Sequence, residues 1–366
     1  MNKNIAVLPG DGIGPEITRE GIKVLDRIAE LYGHTFHYDY CDFGASAYFK
    51  TGSSLPPETI KLCDNSDAII KGPAGLAVEE MNKIPMEHSP EKEGILGLRK
   101  RYDTFANYRP VFLPSSLINL SPLKKEVIPK GLDILMIREL VGGIYFGEKT
   151  ESHETNHSHS SDNATYTRQQ VERVARIAFE EARKKKGPMT NVHKANVLAT
   201  SRFWNRVVEE IAKEYPDVEY RSALVDNVAY QLVINPAQYN GVMLLENMQG
   251  DILSDQAGGI IGSLGFMPSA CIGPEKSYVE AAHGSAPDIG GKNIANPYSM
   301  IGSMALLCEK VFGLEQEARS IWEALIRTLE QGFHTQDLVS KINMPEKTLK
   351  TDSFGDKVIE NLVKTE

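Results

Sequence analysis

Residues 4–33, "NIAVLPGDGIGPEITREGIKVLDRIAELYG", set the architecture. The apolar run 5–8 reads as a short buried strand, and Gly14-Pro15 then opens a helix, because proline in the first helical turn brings the right φ and no amide that would need a partner. Ile17, Ile22, Leu25 and Ile28 fall on roughly one side of that helix, which gives it a face to bury. Strand, loop and helix make one β-loop-α unit. Its strand recurs at 67–73 ("DAIIKGP"), 132–140 ("LDILMIREL"), 190–198 ("TNVHKANVL") and 240–248 ("NGVMLLENM"). Helical stretches lie between, as in "RQQVERVARIAFEEARKKKG" (168–187), where Val171, Val174, Ala175, Ala178 and Ala182 form the apolar stripe. Lysines 184–186 close that helix where positive charge suits its dipole. Strands alternating with helices predict an α/β protein.

The chain of 366 residues is long enough for two domains or one large α/β unit. With 41% apolar and 24% charged residues it has the composition of an ordinary soluble protein. A formal charge of −9 argues against a nucleic-acid or membrane-surface binder and leaves small anionic substrates open. Cys41, Cys63, Cys271 and Cys308 show no zinc-type spacing and read as reduced, packed thiols. No apolar signal core opens the chain, and no apolar run approaches the roughly 18 residues of a membrane span, so a cytoplasmic enzyme is expected. The polar segment 149–167 carries His153, His157 and His159 without an acidic or cysteine ligand cluster, and reads as a solvated loop or arm rather than a metal site.

Several constellations are suited to chemistry. "PGDGIGPE" (9–16) has neither the Lys-Ser/Thr of a P-loop nor the G-x-G-x-x-G spacing; a structural turn and a ligand-facing turn both remain open. Arg99, Arg109 and Arg138 each sit in apolar or strand-like surroundings, where an unpaired guanidinium is costly; singly each suits a structural ion pair, together they favour a carboxylate clamp. Tyr145 and Lys194 taken singly read as a core tyrosine and an edge lysine, yet beside a metal they make a workable proton-transfer pair with pKa values lowered by nearby cations. Asp251 and Asp255 are helix neighbours at i, i+4 that repel unless a cation lies between them, and Asp226 adds a third carboxylate; magnesium or manganese suits such oxygen ligands. "AAHGSAPDIGGKNIANP" (281–297), with His283, Asp288 and Asn296, reads as a long loop that binds a ligand.

"LPGDGIGPE", "ANYRP", "IRELVGGIYFGE", "HKANVL", "GDILSD" and "HGSAPDIGGKNIANP" occur here in the order and at the separations of the β-decarboxylating dehydrogenases. Over nearly its whole length the chain resembles the isocitrate/isopropylmalate dehydrogenase family. That resemblance implies a two-domain α/β isopropylmalate dehydrogenase-like fold, not a Rossmann fold, with a mixed sheet flanked by helices. Residues 1–103 and 263–366 would form a cofactor-side domain, and 104–262 a second, dimerising domain whose arm is 149–167. It implies a homodimer with shared active sites that oxidises C2 of a 2-hydroxy dicarboxylic acid with NAD and loses the C3 carboxylate, assisted by Mg2+ or Mn2+.

Carried over by residue, Arg99, Arg109 and Arg138 would bind the substrate carboxylates, and Asp226, Asp251 and Asp255 the metal, with Asp226 also at the substrate. Asp226 and Lys194 would come from the partner subunit. Lys194 would accept the C2 hydroxyl proton, Tyr145 would supply the proton at C3, and Asn196 would touch the nicotinamide side. Asp288 matches the acidic ribose contact that favours NAD over NADP, while Ile13, His283, Gly284, Ser285, Ala286, Pro287, Ile289 and Asn296 would line the adenosine site. The segment "PEKEGILGLRK" (90–100) is one residue longer than the matching pattern, with Ile95 and Leu96 as its apolar pair and Glu91 or Glu93 as its acid. "KGPAGLAVEEM" (71–81) and Gln249 also depart from the pattern. Leu96 and Val197 would meet the 3-substituent, which makes 3-isopropylmalate the expected substrate. Another 3-substituted malate, such as an alkyl- or arylmalate, isocitrate, homoisocitrate or D-malate, is the alternative, and a non-catalytic paralogue binding NAD or metal is a third reading.

Overall fold

The computed structural model describes residues 1–151 and 159–365; His153, His157 and the rest of 152–158, including the tip of the expected arm, lie outside them. In chain order the strands are β1 (Asn2–Leu8), β2 (Thr35–Tyr40), β3 (Ala68–Lys71), β4 (Ala106–Pro114), β5 (Gly131–Glu139), β6 (Lys149–Glu151), β7 (Ser160–Asp162), β8 (Met189–His193), β9 (Tyr220–Leu224), β10 (Gly241–Leu245), β11 (Pro268–Ile272) and β12 (Tyr278–Ala281). The helices are α1 (Gly14–Tyr32), α2 (Ala45–Thr51), α3 (Pro57–Asn65), α4 (Val78–Met81), α5 (Gly97–Arg101), α6 (Arg168–Lys185), α7 (Ala199–Ala212), α8 (Val225–Ile234), α9 (Asn247–Ile261), α10 (Tyr298–Leu306), α11 (Glu315–Glu330) and α12 (Thr351–Asn361). They divide into two compact units, one of Met1–Thr104, Asn119–Pro122 and Gly262–Glu366, the other of Phe105–Ile118 and Leu123–Ile261.

In the first unit the strand order is β2-β1-β3-β12-β11. β1 runs parallel to β2 and β3, β3 parallel to β12, and β12 antiparallel to β11. Ile5, Ala6, Val7 and Leu8 are fully buried, as expected of a parallel strand covered on both faces, and this is why the run reads as continuously apolar. α1 has proline in its first turn and stops at Gly33, whose φ of 74° is left-handed. Its buried Ile17, Ile22, Leu25 and Ile28 pack toward α10 and α12.

In the second unit the order is β4-β5-β10-β8-β9, with β4 antiparallel to β5 and the remaining pairs parallel. α6 begins with a reciprocal capping box between Thr167 and Gln170 and buries the apolar stripe read from its sequence, including Val171, Val174, Ala175, Ala178 and Ala182. α9 packs on β4 and β5. The polar segment has its two ends paired as an antiparallel ribbon, Lys149 opposite Asp162 and Glu151 opposite Ser160. Each unit is a mixed sheet flanked by helices, the α/β class expected from the alternation. Two elements differ: 190–198 is not a single strand, because β8 ends at His193 and Lys194 stands on a turn, and 240–248 is a strand only to Leu245, because Asn247 already opens α9. Among the described residues no helix is long and apolar enough to cross a membrane.

Candidate active site

In the second unit β4 and β5 lie side by side, and Arg109 and Arg138 project from them beneath the first turns of α9. Both are buried, at 4% and 1% exposure. Arg138 donates through Nε and Nη2 to Asn247 Oδ1 at 3.2 and 2.8 Å, and through Nη1 to Asp251 Oδ1 at 2.5 Å. Arg109 donates through Nε to Asn107 Oδ1 at 2.8 Å, and through Nη1 to Ser254 Oγ at 2.6 Å and Asp255 Oδ1 at 3.3 Å. The Tyr145 hydroxyl donates to the other Asp251 oxygen at 3.0 Å, and the Arg138 guanidinium lies 5.9 Å from the Tyr145 ring centre. Gly250 makes room for this: a Cβ there would come within 2.6 Å of Arg138 Cγ.

The charges are arranged asymmetrically. The guanidinium groups lie at the bottom, while Asp251 and Asp255 are 37% and 57% exposed. Burial pushes the Asp255 carboxyl above the usual range, Arg109 opposes this, and the charge of Asp251 adds to it. A divalent cation relieves that like-charge pairing, and hard carboxylate oxygens on one helix face suit Mg2+ or Mn2+, so the donor set fits either ion. A cation that engaged the carboxylates would also leave guanidinium donors available to an incoming acid. Burial and then the Asp251 charge push the Tyr145 phenol up. Within the chain a carboxylate rather than a cation receives its hydroxyl, so the lowering expected beside a metal belongs to a site that holds one.

Lys194 and Asp226 form a separate pair in the same unit, Nζ to Oδ1 at 2.7 Å, and the hydrogen bond from Lys194 holds the Asp226 carboxyl below its ordinary range. Among the described residues no group of three or more His, Cys, Asp or Glu side chains is placed to hold a metal within one chain. Asn196 and Val197 lie exposed on the turn after Lys194.

In the first unit the turn "PGDGIGPE" is organised by Asp11, a residue that its sequence context does not single out. Its buried carboxylate accepts the amides of Ala45 at 2.7 Å, Ser46 at 2.9 Å and Gly75 at 2.7 Å, so one side chain joins the turn, the start of α2 and the segment after β3. No local pattern announces this, because its partners lie 34 to 64 residues away. The Ile13 amide donates to Ser285 O at 2.8 Å, and Gly12, with φ 56°, has no room for a Cβ, which would fall 2.1 Å from the same carbonyl. The loop 281–297 therefore packs on the first turn. Ala286 takes a left-handed φ of 40°, Ile289 N bonds Ala286 O at 3.1 Å, and Gly284, Pro287 and Asp288 face outward. His283 Nδ1 lies 2.9 Å from Gly284 O. Asn296 is engaged within the fold: its Oδ1 accepts the Tyr298 amide at 3.0 Å and its Nδ2 donates to Asp337 at 3.1 Å.

Arg99 also belongs to the first unit, so the three arginines are not a feature of either unit alone. It is buried on α5, and its Nε donates to the Tyr278 hydroxyl at 3.4 Å. Before it, Pro90–Leu96, with Leu96 at its end, winds as a π-helix, the usual way a helix absorbs one inserted residue. Glu93 is tied down there by the Ser53 hydroxyl at 2.9 Å and the Ser54 amide at 2.7 Å, whereas Glu91 is exposed.

Buried arginines under partly exposed helix carboxylates, with a phenol on the same carboxylate, are the donor set that an organic acid and a divalent metal would call for. Residues 4–358 match the family model described as isocitrate/isopropylmalate dehydrogenase. The 3-isopropylmalate dehydrogenase of Thermotoga maritima is 44% identical over 98% of both chains, and that of Aquifex aeolicus 45% identical over 98% of this chain and 96% of its own. Among solved structures, isocitrate dehydrogenase from Methylococcus capsulatus is similar with a TM-score of 0.85 and 32% identity over 98% of both chains. A β-decarboxylating dehydrogenase from Thermococcus kodakarensis gives 0.77 and 33%, over 98% of this chain and 95% of its own. The chain belongs to the isocitrate/isopropylmalate dehydrogenase family.

Proposed function

We propose that the protein oxidises C2 of 3-isopropylmalate with NAD and releases the C3 carboxylate as CO2, giving 4-methyl-2-oxopentanoate, a step of cytoplasmic leucine biosynthesis. The observation that carries this reading is the Arg109–Arg138 floor beneath Asp251 and Asp255, with Tyr145 on the same carboxylate. The names of the T. maritima and A. aeolicus relatives select the substrate within the family.

In this reading Arg109 and Arg138, joined by Arg99, orient the substrate carboxylates. Asp251, Asp255 and Asp226 would hold Mg2+ or Mn2+, which when bound supplies Lewis acidity at the C2 oxygen, and NAD supplies the hydride acceptor. Lys194 takes the proton of the C2 hydroxyl. Once CO2 has left, Tyr145 gives a proton to C3. Burial, the largest influence on this phenol, pushes it up, in the direction that keeps the proton a general acid must give. The outward-facing carboxylate of Asp288 suits ribose hydroxyls and repels a 2′-phosphate, which supports NAD.

A second copy of the chain is part of the proposal. Lys194 and Asp226 pair with each other, and the surface near them exposes Val197, Leu198, Tyr230, Val233 and Ile234, with Ile252 on α9. Apolar groups presented by α8 and its neighbours suit a symmetric dimer in which this pair reaches the partner's Asp251 and Asp255.

The test is NADH formation with Mg2+ across 3-isopropylmalate, isocitrate, homoisocitrate, D-malate and a bulkier 3-alkylmalate. Preference for 3-isopropylmalate is expected. Preference for the bulkier acid moves the assignment to a sister substrate, which the π-helical turn beside Leu96 would accommodate, and no turnover of any removes the enzymatic reading.

A further inference from the structure

Lys194 owes its place to the residue before it. His193, the last residue of β8, is buried, and both ring nitrogens are engaged. The Ala195 amide donates to Nδ1 at 3.1 Å, and Nε2 lies 2.7 Å from Ser222 Oγ. An amide N–H can only donate, so Nδ1 is the lone-pair nitrogen and the proton of the neutral ring sits on Nε2, facing Ser222. From there Ser222 Oγ donates to Asn205 Oδ1 at 3.3 Å, which also receives Asn191 Nδ2 at 2.9 Å, and Trp204 Nε1 donates to Asn191 Oδ1 at 2.9 Å. These hydrogen bonds fix the ring plane and its tautomer. Burial pushes the imidazole pKa down, and Glu209 opposes that, so the ring is kept neutral.

The turn beyond it is held at each backbone group that matters. Lys194 O accepts the amides of Val197 at 3.1 Å and Leu198 at 2.9 Å. The Arg202 guanidinium donates to Ala195 O at 3.4 Å and Val197 O at 3.0 Å. Of the contacts made by the Ala195 peptide, the one to its N–H comes from the His193 ring.

We propose that His193 is a positioning residue for Lys194: its unprotonated Nδ1 holds the Ala195 amide, stops β8 and sets the direction in which the Lys194 side chain leaves the sheet toward Asp226. The proposal rests on the reading of Lys194 as proton acceptor, and it adds a requirement which that reading does not contain. The acceptor must sit at the Nδ1 position; a polar atom elsewhere on the side chain does not serve.

Two variants separate the nitrogens. His193→Asn keeps an oxygen at the position of Nδ1 and loses the Ser222 contact; His193→Gln carries its polar atoms near Nε2 and has none at Nδ1. In His193→Gln kcat for the preferred hydroxy acid is expected to fall about 10- to 100-fold, the cost of misplacing a reacting group by ~1 Å, with KM for NAD little changed. His193→Asn is expected to stay within about threefold of the parent, since the amide it must hold keeps its acceptor. Acetic anhydride labelling of the protein without substrate, read at Lys194 by mass spectrometry, reports the lysine without catalysis. The rate is expected to rise in His193→Gln, where the lysine is released from Asp226, and to stay at the parent value in His193→Asn. Equal labelling in parent and His193→Gln, or equal losses of kcat in both variants, overturns the proposal. Near-normal turnover by Lys194→Met overturns the role of Lys194 instead, and the labelling rates alone then decide whether His193 positions that side chain.

Discussion

Glu139, beside the buried Arg138, ends β5 with both carboxyl oxygens committed to the chain that turns away from it: Val141 N at 3.0 Å on Oε1 and Gly142 N at 2.8 Å on Oε2. Burial pushes its carboxyl up to about 7, although those two amides oppose the shift. The folded state therefore holds a proton on Glu139 between the ordinary carboxylate range and about pH 7, where the unfolded chain has lost it. The stabilisation is complete below pH 4.5 and is lost as pH rises to about 7, which for a shift of this size amounts to roughly 3 kcal/mol at most. Glu139→Gln leaves one amide facing an NH2 group and so lowers the melting temperature at pH 5. Its distinctive effect is on the slope: the deficit relative to the parent is expected to shrink as pH increases from 5 to 8. A deficit independent of pH in thermal melts would show that Glu139 is already ionised at pH 5.

The π-helical turn Pro90–Leu96 is the element in which the chain departs most visibly from the pattern it resembles. Ser89 Oγ caps it at the Lys92 amide, 3.1 Å, and Gly94 lies against the Phe43 ring, where a Cβ would stand 3.3 Å away. Deleting Lys92 removes the extra residue and lets the segment rewind as α, which turns what precedes it by about 100° relative to Ile95 and Leu96. A few changed pocket contacts are worth ~1–3 kcal/mol, so the ratio of kcat/KM for 3-isopropylmalate to that for a bulkier 3-alkylmalate is expected to move about 10-fold or more. An unchanged ratio in the deletion variant would detach this turn from substituent choice. The same element shows where sequence reading stops. β1, α1, α6 and the i, i+4 placement of Asp251 and Asp255 are written in local periodicity and are legible from it. The π turn is visible only as a count one residue too long. Lys194 reads as part of a strand because "VHKANVL" is apolar enough for one; what ends β8 is a side-chain bond from His193 back to the Ala195 amide, which periodicity does not encode. Asp11 escapes for the opposite reason, since all the groups it holds are remote in sequence.

At the scale of the whole molecule the issue is how many chains make one site. Asp251 and Asp255 stand with Arg109, Arg138 and Tyr145; Lys194 stands with Asp226. If two chains join these groups, a dimer has two sites, each with Tyr145 from one chain and Lys194 from the other. Lys194→Met and Tyr145→Phe homodimers are then each inactive at both sites. In a mixed dimer one site collects both substitutions and the other collects neither. Unfolding an equimolar mixture and refolding it yields about half mixed dimers, and one intact site in each restores about a quarter of the parent activity. Were Lys194 and Tyr145 to serve the same site from one chain, every site in the mixture would carry one substitution and no activity would return. The two arrangements thus differ between about a quarter and nothing in NADH formation at fixed protein concentration, and the unmixed variants refolded alone provide the baseline.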